Sequence, residues 1–317
     1  MIVLDPSSHQ HGKPSENLGD LVIKQSIEEL LSSRFKLQWL PYGTRNFNAS
    51  PVVIGGANVI GPPRLGISCI WRPPVREILL KSLNVVTLGA GWWSYEAYPK
   101  SLQSRLMRRY LSLIHPHSVR DTYTADMLKR SGILNVYVTG CPSMIGHSEI
   151  KAKLESLMPV CTLTFYRRDV SRDALWMRHL LERFETSYFF IQGPLDLPYL
   201  NEVLRTAGCN LSRITLIHSF DELTKLLNSR TDLVHIGTRL HANMLFLKYG
   251  YPSLCLDVDS RTNEIKKSFE NLPIHSLYDF IDSFNESIYH YMPANNFDKN
   301  FEKYLCHLDF SIRNNHQ

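Results

Sequence analysis

The stretch Asp232–Asp259, DLVHIGTRLHANMLFLKYGYPSLCLDVD, decides the fold. Leu233 to Ile236 is a short apolar run of the kind that forms a strand covered on both faces. Gly237 interrupts it, and Thr238 has the side chain of a helix N-cap. Leu240, Met244 and Leu247 recur at helical spacing, Gly250 stands where the chain must turn out of the helix, and Pro252 forbids continuation. Ser253 to Val258 is then a second buried strand. A strand running into a helix start presents backbone N–H groups and a positive dipole end, hence an anion site. Here that site carries Arg239 and His241. Two positions apart, they would diverge in mid-helix, but from a first turn both reach past the N-terminus toward one anion. Arg239 offers a permanent fork of donors, and His241 a proton that moves near neutral pH. The plainer alternatives are an Arg239 paired with a surface carboxylate and a structural His241.

The same alternation extends outward. Toward the N-terminus, Val160–Tyr166, Tyr188–Gln192 and Ile214–Ile217 read as strands separated by helices of ten or so residues, with Arg167-Arg168 after the first. Ile2–Leu4, Pro51–Ile54, Asn84–Leu88, His115–Val119 and Val136–Thr139 give a second set, with helices expected from Asp20 to about Leu31, over Lys100–Ile114 and over Thr122–Ser131. Strands alternating with helices mean parallel sheets with right-handed crossovers. The expected architecture is α/β, two Rossmann-like domains facing across a cleft. The polar stretch Gly146–Pro159 is the expected linker, dividing residues 1–150 from residues 151–317. The helical tail, Leu277–Leu308, has the option of crossing back onto the first domain.

The 317 residues, 44% hydrophobic and 21% charged, are ordinary for a soluble globular chain of two domains. No apolar run approaches the roughly 20 residues that cross a bilayer, and the N-terminus lacks the pattern of a signal peptide. A cytoplasmic location, with peripheral contact at the inner face of the membrane as an option, is the expectation. The six cysteines are scattered without CxxC pairs, so free buried thiols are expected and no metal site; His9 and His11 read as a polar loop rather than ligands. A formal charge of +5 suits an anionic small substrate or an anionic membrane face. No basic-aromatic stripe or recognition helix argues for nucleic acid, and neither GxGxxG nor Walker A occurs, so no cofactor is expected. The basic helix over Lys100–Ile114 reads as a solvated face. Trp92 and Trp93, beyond a strand and glycines, would stack on a sugar or pack in the core.

Ligands of open α/β sheets bind at the carboxyl ends of strands. The residues expected there are Asn17, Asp20, Asn58 and Arg120 in the first half, and Arg167, Arg168, Gln192, His218, Arg239, His241 and Asp257 in the second. Asp20 also has a plain structural use as an N-cap, and Arg120 a use in bracing its loop. Several arginines with a histidine describe a pocket for a strongly anionic molecule, since bidentate contacts suit phosphate and carboxylate alike.

Three elements resemble the polysaccharide pyruvyl transferase family: Asn17-Leu-Gly-Asp20, Arg120-Asp121 before a helix and glycine, and Arg239-Leu240-His241 with Gly250-x-Pro252 following. The resemblance covers most of the chain. It implies a fold similar to the GT-B glycosyltransferases and transfer of pyruvate from phosphoenolpyruvate, as donor substrate, to a sugar or lipid-linked oligosaccharide acceptor as a cyclic ketal. In that reading His241 is the general acid or holds the phosphate, and Asp20 is a base for the acceptor hydroxyl. Arg239 and Arg167 bind the donor anions, with Leu240, Asn17 and Arg120 as further substrate contacts. One departure stands out. Where relatives carry Tyr-x-x-Lys after the last strand, this chain has Asp257-Val-Asp-Ser-Arg-Thr-Asn-Glu-Ile-Lys266, leaving Arg261, Lys266 or Lys267 to supply the charge. A GT-B glycosyltransferase using a nucleotide sugar, with Asp257, Asp259 or Glu264 on the ribose, is the rival enzyme. A non-catalytic scaffold in polysaccharide assembly is the rival without chemistry.

Overall fold

The computed structural model describes residues 1–8, 15–42, 44, 51–61, 78, 82–93, 95, 98–269, 271–286, 288–294 and 296–314. His9, His11 and Cys69 lie outside the described residues. The chain divides into two compact units, one of residues 1–15, 23–145 and 295–317 and the other of residues 16–22 and 146–294. This differs from a single cut after residue 150 in two exchanges. The last helix belongs with the first unit, and the Glu16–Val22 segment belongs with the second.

In the first unit β1 (Ile2–Asp5), β2 (Gln38–Pro41), β3 (Val52–Gly55) and β5 (Val85–Leu88) form a parallel sheet in the order β2-β1-β3-β5. Two short parallel pairs accompany it: β4 (Asn58–Ile60) with β6 (Gly91–Trp92), and β7 (His117–Val119) with β8 (Val136–Val138). Helices α1 (Gly19–Leu31), α2 (Ser101–Tyr110) and α3 (Thr122–Arg130) alternate with these strands. Val52, Ile54, Val85, Met107, Tyr110 and Leu128 belong to one buried apolar cluster, and Trp92 lies fully within it. Trp92 is therefore a core residue and has no face to offer a sugar.

The second unit opens with β9 (Ile150–Ala152), β10 (Met158–Thr162), α4 (Val170–Arg183), β11 (Ser187–Phe190), α5 (Asp196–Ala207), β12 (Ile214–Ile217) and α6 (Phe220–Ser229). It continues with β13 (Leu233–Gly237), α7 (Leu240–Lys248), β14 (Ser253–Leu256), α8 (Ser260–Ser268), β15 (Ile274–His275), α9 (Leu277–Asp282) and β16 (Tyr289–Tyr291). Its six-stranded parallel sheet runs β12-β11-β10-β13-β14-β15. Counted from β10, that is the doubly wound order 3-2-1-4-5-6, whose direction reverses between β10 and β13. Such sheets bind ligands beyond the carboxyl ends of the strands at that reversal. The sequence 146–159 is not a bare linker, because β9 pairs antiparallel with β16, a partner some 140 positions away that local patterning does not reveal.

The predicted tail is interrupted by β16 and resumes as α10 (Asn296–Asn314). Tyr304 of α10 donates to Thr87 O at 3.1 Å within the first unit. Cys141, Cys161 and Cys255 are buried thiols as expected, whereas Cys306 is exposed.

Candidate functional site

Strand β13 is buried along its whole length. At its end a Cβ on Gly237 would overlap the Thr162 backbone on β10, so only glycine permits the two strands to approach there. The Thr238 N–H donates to Thr162 O at 3.1 Å, and the Thr238 hydroxyl donates to Thr164 Oγ1 at 3.0 Å. That hydroxyl is thus engaged with the neighbouring connection and does not cap α7. Arg239 occupies the cap position instead, in extended conformation, and its own side chain makes no capping hydrogen bond. The start of α7 is left open toward whatever lies beyond the sheet, as an anion site requires. At the other end Gly250 adopts φ 81° and the chain turns into β14.

Arg239 is buried. Its Nε donates to Leu163 O at 2.7 Å, its Nη2 pairs with Asp196 Oδ1, and its guanidinium lies 5.2 Å from the centre of the Tyr166 ring. Asp196, the first residue of α5, also accepts the backbone N–H groups of Gln192 and Gly193 on Oδ2 at 3.1 and 3.0 Å. The partner of Arg239 is therefore a buried carboxylate rather than a surface one. Burial pushes the Asp196 carboxyl above its ordinary range, and Arg239 offsets this only in part.

A second arginine faces the same tyrosine. Arg261 lies 5.4 Å from the Tyr166 ring centre and donates from Nη2 to the Tyr166 hydroxyl at 2.8 Å. Asp259, the N-cap of α8, accepts the backbone N–H groups of Arg261 and Thr262, and also Arg261 Nε at 2.8 Å. Arg167, on the turn after β10, reaches the same carboxylate at 3.5 Å and is half exposed. Burial alone would raise Asp259. The two arginines and the helix N–H outweigh burial and hold it below the usual carboxylate range. Of the three cations offered in place of the family's lysine, Arg261 lines the pocket, whereas Lys266 and Lys267 are exposed.

The third wall comes from the segment before α1. Leu18 N–H donates to Gln192 O at 2.9 Å, and the Asn17 side-chain oxygen accepts the Gly19 N–H at 3.2 Å. Asn17 rather than Asp20 thus holds the start of α1, which begins one residue before Asp20. A Cβ at Gly19 would stand 3.0 Å from Gln192 Nε2 and 3.2 Å from His241 Nδ1, so this glycine lets the amide and the imidazole converge. Gln192 Oε1 is buried with no hydrogen-bond partner among the described residues.

These groups line one small pocket that opens to solvent. Asn17, Tyr166, Gln192, Arg239, Leu240, His241, Asp259 and Arg261 all face it, and all belong to the second unit. Arg167 borders it through Asp259. Asp20 does not line it; it is buried in the first turn of α1, where its Oδ1 accepts the Asn17 amide at 3.4 Å. Arg120 belongs to the first unit and is fully buried. Its guanidinium donates to Asn58 and, at 2.6 Å, to the Tyr95 hydroxyl, with Asp121 3.6 Å away. A buried guanidinium needs such partners, so Arg120 braces its loop instead of presenting itself to a substrate. His218 is exposed on the surface. Sequence reading missed Asp196 and Tyr166. The available signals were an acid three residues past the glycine that follows β11, and an aromatic immediately before Arg167.

Compared with known families, residues 14–260 match the model for polysaccharide pyruvyl transferase. The chain belongs to the polysaccharide pyruvyl transferase family. The match spans both the Asn17–Asp20 and the Arg239–His241 elements and ends within the Asp259–Arg261 corner of the pocket. Among curated proteins none matches the sequence. Among solved structures, S. aureus MnaA in a co-structure with UDP is similar, with 11% identity, 99% of this chain and 96% of that chain covered, and a TM-score of 0.54. A UDP-GlcNAc 2-epimerase from Neisseria meningitidis bound to UDP-GlcNAc has 12% identity, coverage of 99% and 98%, and a TM-score of 0.46. Identity this low speaks to the fold alone. The fold is mixed α/β with parallel sheets and is shared with MnaA.

Proposed function

We propose that this polysaccharide pyruvyl transferase takes pyruvate from phosphoenolpyruvate and places it on a sugar as a cyclic ketal. The observation that carries the reading is the convergence of Arg239, Arg261 and His241 at the start of α7. A donor with a phosphate and a carboxylate needs two cationic contacts, and phosphoenolpyruvate carries both groups. Arg239 and the open helix start, including the Leu240 backbone, receive one anion; Arg261, with Arg167 behind Asp259, receives the other. His241 donates a proton to the donor methylene, which becomes the methyl group. The first sugar hydroxyl adds to the resulting oxocarbenium-like carbon and returns its proton to His241. The carbon–oxygen bond to phosphate then breaks, the second hydroxyl closes the ring, and its proton leaves with the phosphate. The arginines act on charge that grows on the departing phosphate, the kind of fixed electrostatic contact that lowers such barriers most. Asn17 and Gln192 are placed to accept hydroxyls of the acceptor. Asp20 has no part in this scheme, being buried away from the pocket.

The test is thermal stability of wild type and Arg239→Ala with phosphoenolpyruvate and with a panel of UDP-sugars. A ligand that binds only the folded state raises the melting temperature. A rise with phosphoenolpyruvate that the variant loses supports the donor assignment. A rise with a UDP-sugar alone moves the reading to glycosyl transfer.

A further inference from the structure

An edge of the first unit, away from any residue discussed so far, combines exposed aliphatic side chains with cations. Strands β7 and β8 run parallel with His117 opposite Val136, and the His117 N–H donates to Asn135 O at 2.8 Å. The segments that enter these strands therefore stand side by side. They expose Leu113 (58%), Ile114 (64%) and Leu134 (77%). The turn that carries Leu113 and Ile114 is fixed. Ser112 Oγ accepts the N–H groups of Ile114 and His115 at 3.3 and 3.1 Å, and the Ser112 N–H donates to Val85 O at 2.8 Å. Ser311 of α10 meets His115 at 2.8 Å, which brings the neighbouring Phe310, 67% exposed, to the same edge.

Cations close the helices next to these segments. Arg108 and Arg109 close α2, Lys129 and Arg130 close α3, and Arg313 lies in the last turn of α10. Arg108 Nη1 donates to Ser131 O at 2.8 Å and ties the two helix ends together. The carboxylates on the described parts of these helix ends are Asp126 and Asp309, and Asp309 already holds Arg313 at 2.8 Å. Cations in a last helical turn complement the helix dipole without any partner. That accounts for part of the charge but not for four large apolar side chains in water, two of them on a pinned turn. Exposed apolar side chains with basic helix ends close by in the chain match the layering of a bilayer surface, with acyl chains beneath anionic headgroups. No helix among the described residues is long and apolar enough to cross a membrane, so the contact is peripheral.

We propose that this edge of the first unit binds the surface of an anionic lipid bilayer. The test is co-sedimentation of the full chain with vesicles of phosphatidylcholine alone and of phosphatidylcholine with phosphatidylglycerol, at low and high salt. It is repeated on Lys129→Glu/Arg130→Glu and on Leu113→Ser/Ile114→Ser, with circular dichroism melting as the check on folding. The expected result is binding to the anionic vesicles that weakens with salt and falls at least about tenfold on neutral vesicles. The charge-reversal variant loses at least about tenfold as well, at roughly 1 kcal/mol per lost cation and more for its reversal, and the serine variant loses binding at every salt concentration. If one variant fails to fold, the other and the salt dependence of wild type still decide. Equal binding to both vesicle types, or no sedimentation with either, overturns the proposal. Self-association that Leu113→Ser/Ile114→Ser abolishes, without vesicle binding, assigns the edge to a second copy of the chain and overturns it too.

Discussion

Asp196→Asn is the sharpest perturbation of the pocket, because one carboxylate there does three things. Its Oδ2 accepts the Gln192 and Gly193 N–H groups at 3.1 and 3.0 Å, and its Oδ1 receives Arg239. Asparagine has a single oxygen. Turned toward the backbone donors, it sets its own NH₂ against the guanidinium; turned the other way, it strands two N–H groups. The first arrangement abandons one bond rather than two and is the one expected. The lost charge-assisted bond is worth about 1.5–3 kcal/mol. Opposing it, burial makes the charged carboxylate costly, which is why its pKa is raised despite Arg239. The net loss of stability is therefore expected to stay below about 2 kcal/mol, less than the roughly 3–5 kcal/mol of breaking a buried pair outright.

The binding site suffers more. Arg239 keeps Leu163 O and the Tyr166 face but loses what fixes Nη2, and a displacement near 1 Å costs on the order of 100-fold in a positioned site. Calorimetric titration should show the dissociation constant for phosphoenolpyruvate rising at least about tenfold, while chemical denaturation shows the modest loss. Acid should mimic the substitution, since protonated Asp196 also ceases to hold Arg239. Wild-type affinity then falls on acidification, starting above the ordinary carboxyl range, and Asp196→Asn lacks that limb. Stability has the opposite sign. A carboxyl whose folded pKa is raised contributes fully below its unfolded pKa and loses that contribution as pH rises through the folded value. A folded Asp196→Asn with unchanged affinity and an unchanged pH profile would refute the positioning role.

Gly19→Ala should still fold, because the added Cβ meets the ends of side chains and not backbone. Its Cβ, 3.0 Å from Gln192 Nε2 and 3.2 Å from His241 Nδ1, should lower turnover at least about tenfold; a normal rate of phosphate release at normal melting temperature would contradict the convergence of those groups. Arg261→Lys should recover only part of the donor affinity lost in Arg261→Ala, because an ammonium cannot grip Asp259 and the Tyr166 hydroxyl together; lysine equal to arginine in a direct titration would rule out a role for the planar fork. His235 and His117 are fully buried, and burial lowers their pKa values to about 3 and about 4. The unfolded chain takes up protons near 6.5 that the folded state refuses, so stability is fully present above 6.5 and is lost as pH falls toward those values; urea midpoints flat from pH 7 to pH 4 would contradict this.

How much of this was legible depended on whether the deciding partner was local. The strand–helix–strand over residues 232–259 was readable because a fully buried strand shows as an apolar run and because Gly237 and Gly250 punctuate it. The cap was misread by one residue. Thr238 has the right side chain, but its hydroxyl goes to Thr164, 74 positions away and invisible to local spacing. The partners of Arg120 were hidden for the same reason, since Asn58 and Tyr95 meet it inside the first unit from 62 and 25 positions away. β9 went unseen because its partner is β16, and the same distance hid the membership of α10 in the first unit. The charged corner was half legible: Arg167, Arg239 and Arg261 stood out as cations, but nothing local assigned Asp196 to one and Asp259 to the others.

Those two carboxylates separate the fixed from the exchangeable parts of the pocket. Both are buried aspartates beside arginine, yet folding raises one pKa and lowers the other. Asp259 has Arg261, Arg167 and the Thr262 N–H, enough to overcome burial; Asp196 has Arg239 and two backbone donors, and that is too little. Arg261 is consequently held tightly before any ligand arrives, whereas Arg239 is held by a carboxylate that is poorly stabilised as an anion. A donor anion that needs Arg239 held in place binds the ionised form of Asp196 more tightly, so its binding in turn favours the charged carboxylate. Donor binding should therefore be accompanied by proton release at mildly acidic pH. The observed enthalpy would vary with the ionisation enthalpy of the buffer, and Asp196→Asn would remove the dependence. Buffer-independent binding in wild type across that range would mean that the protonation of Asp196 does not matter to the donor and that Arg261 alone meets the anion.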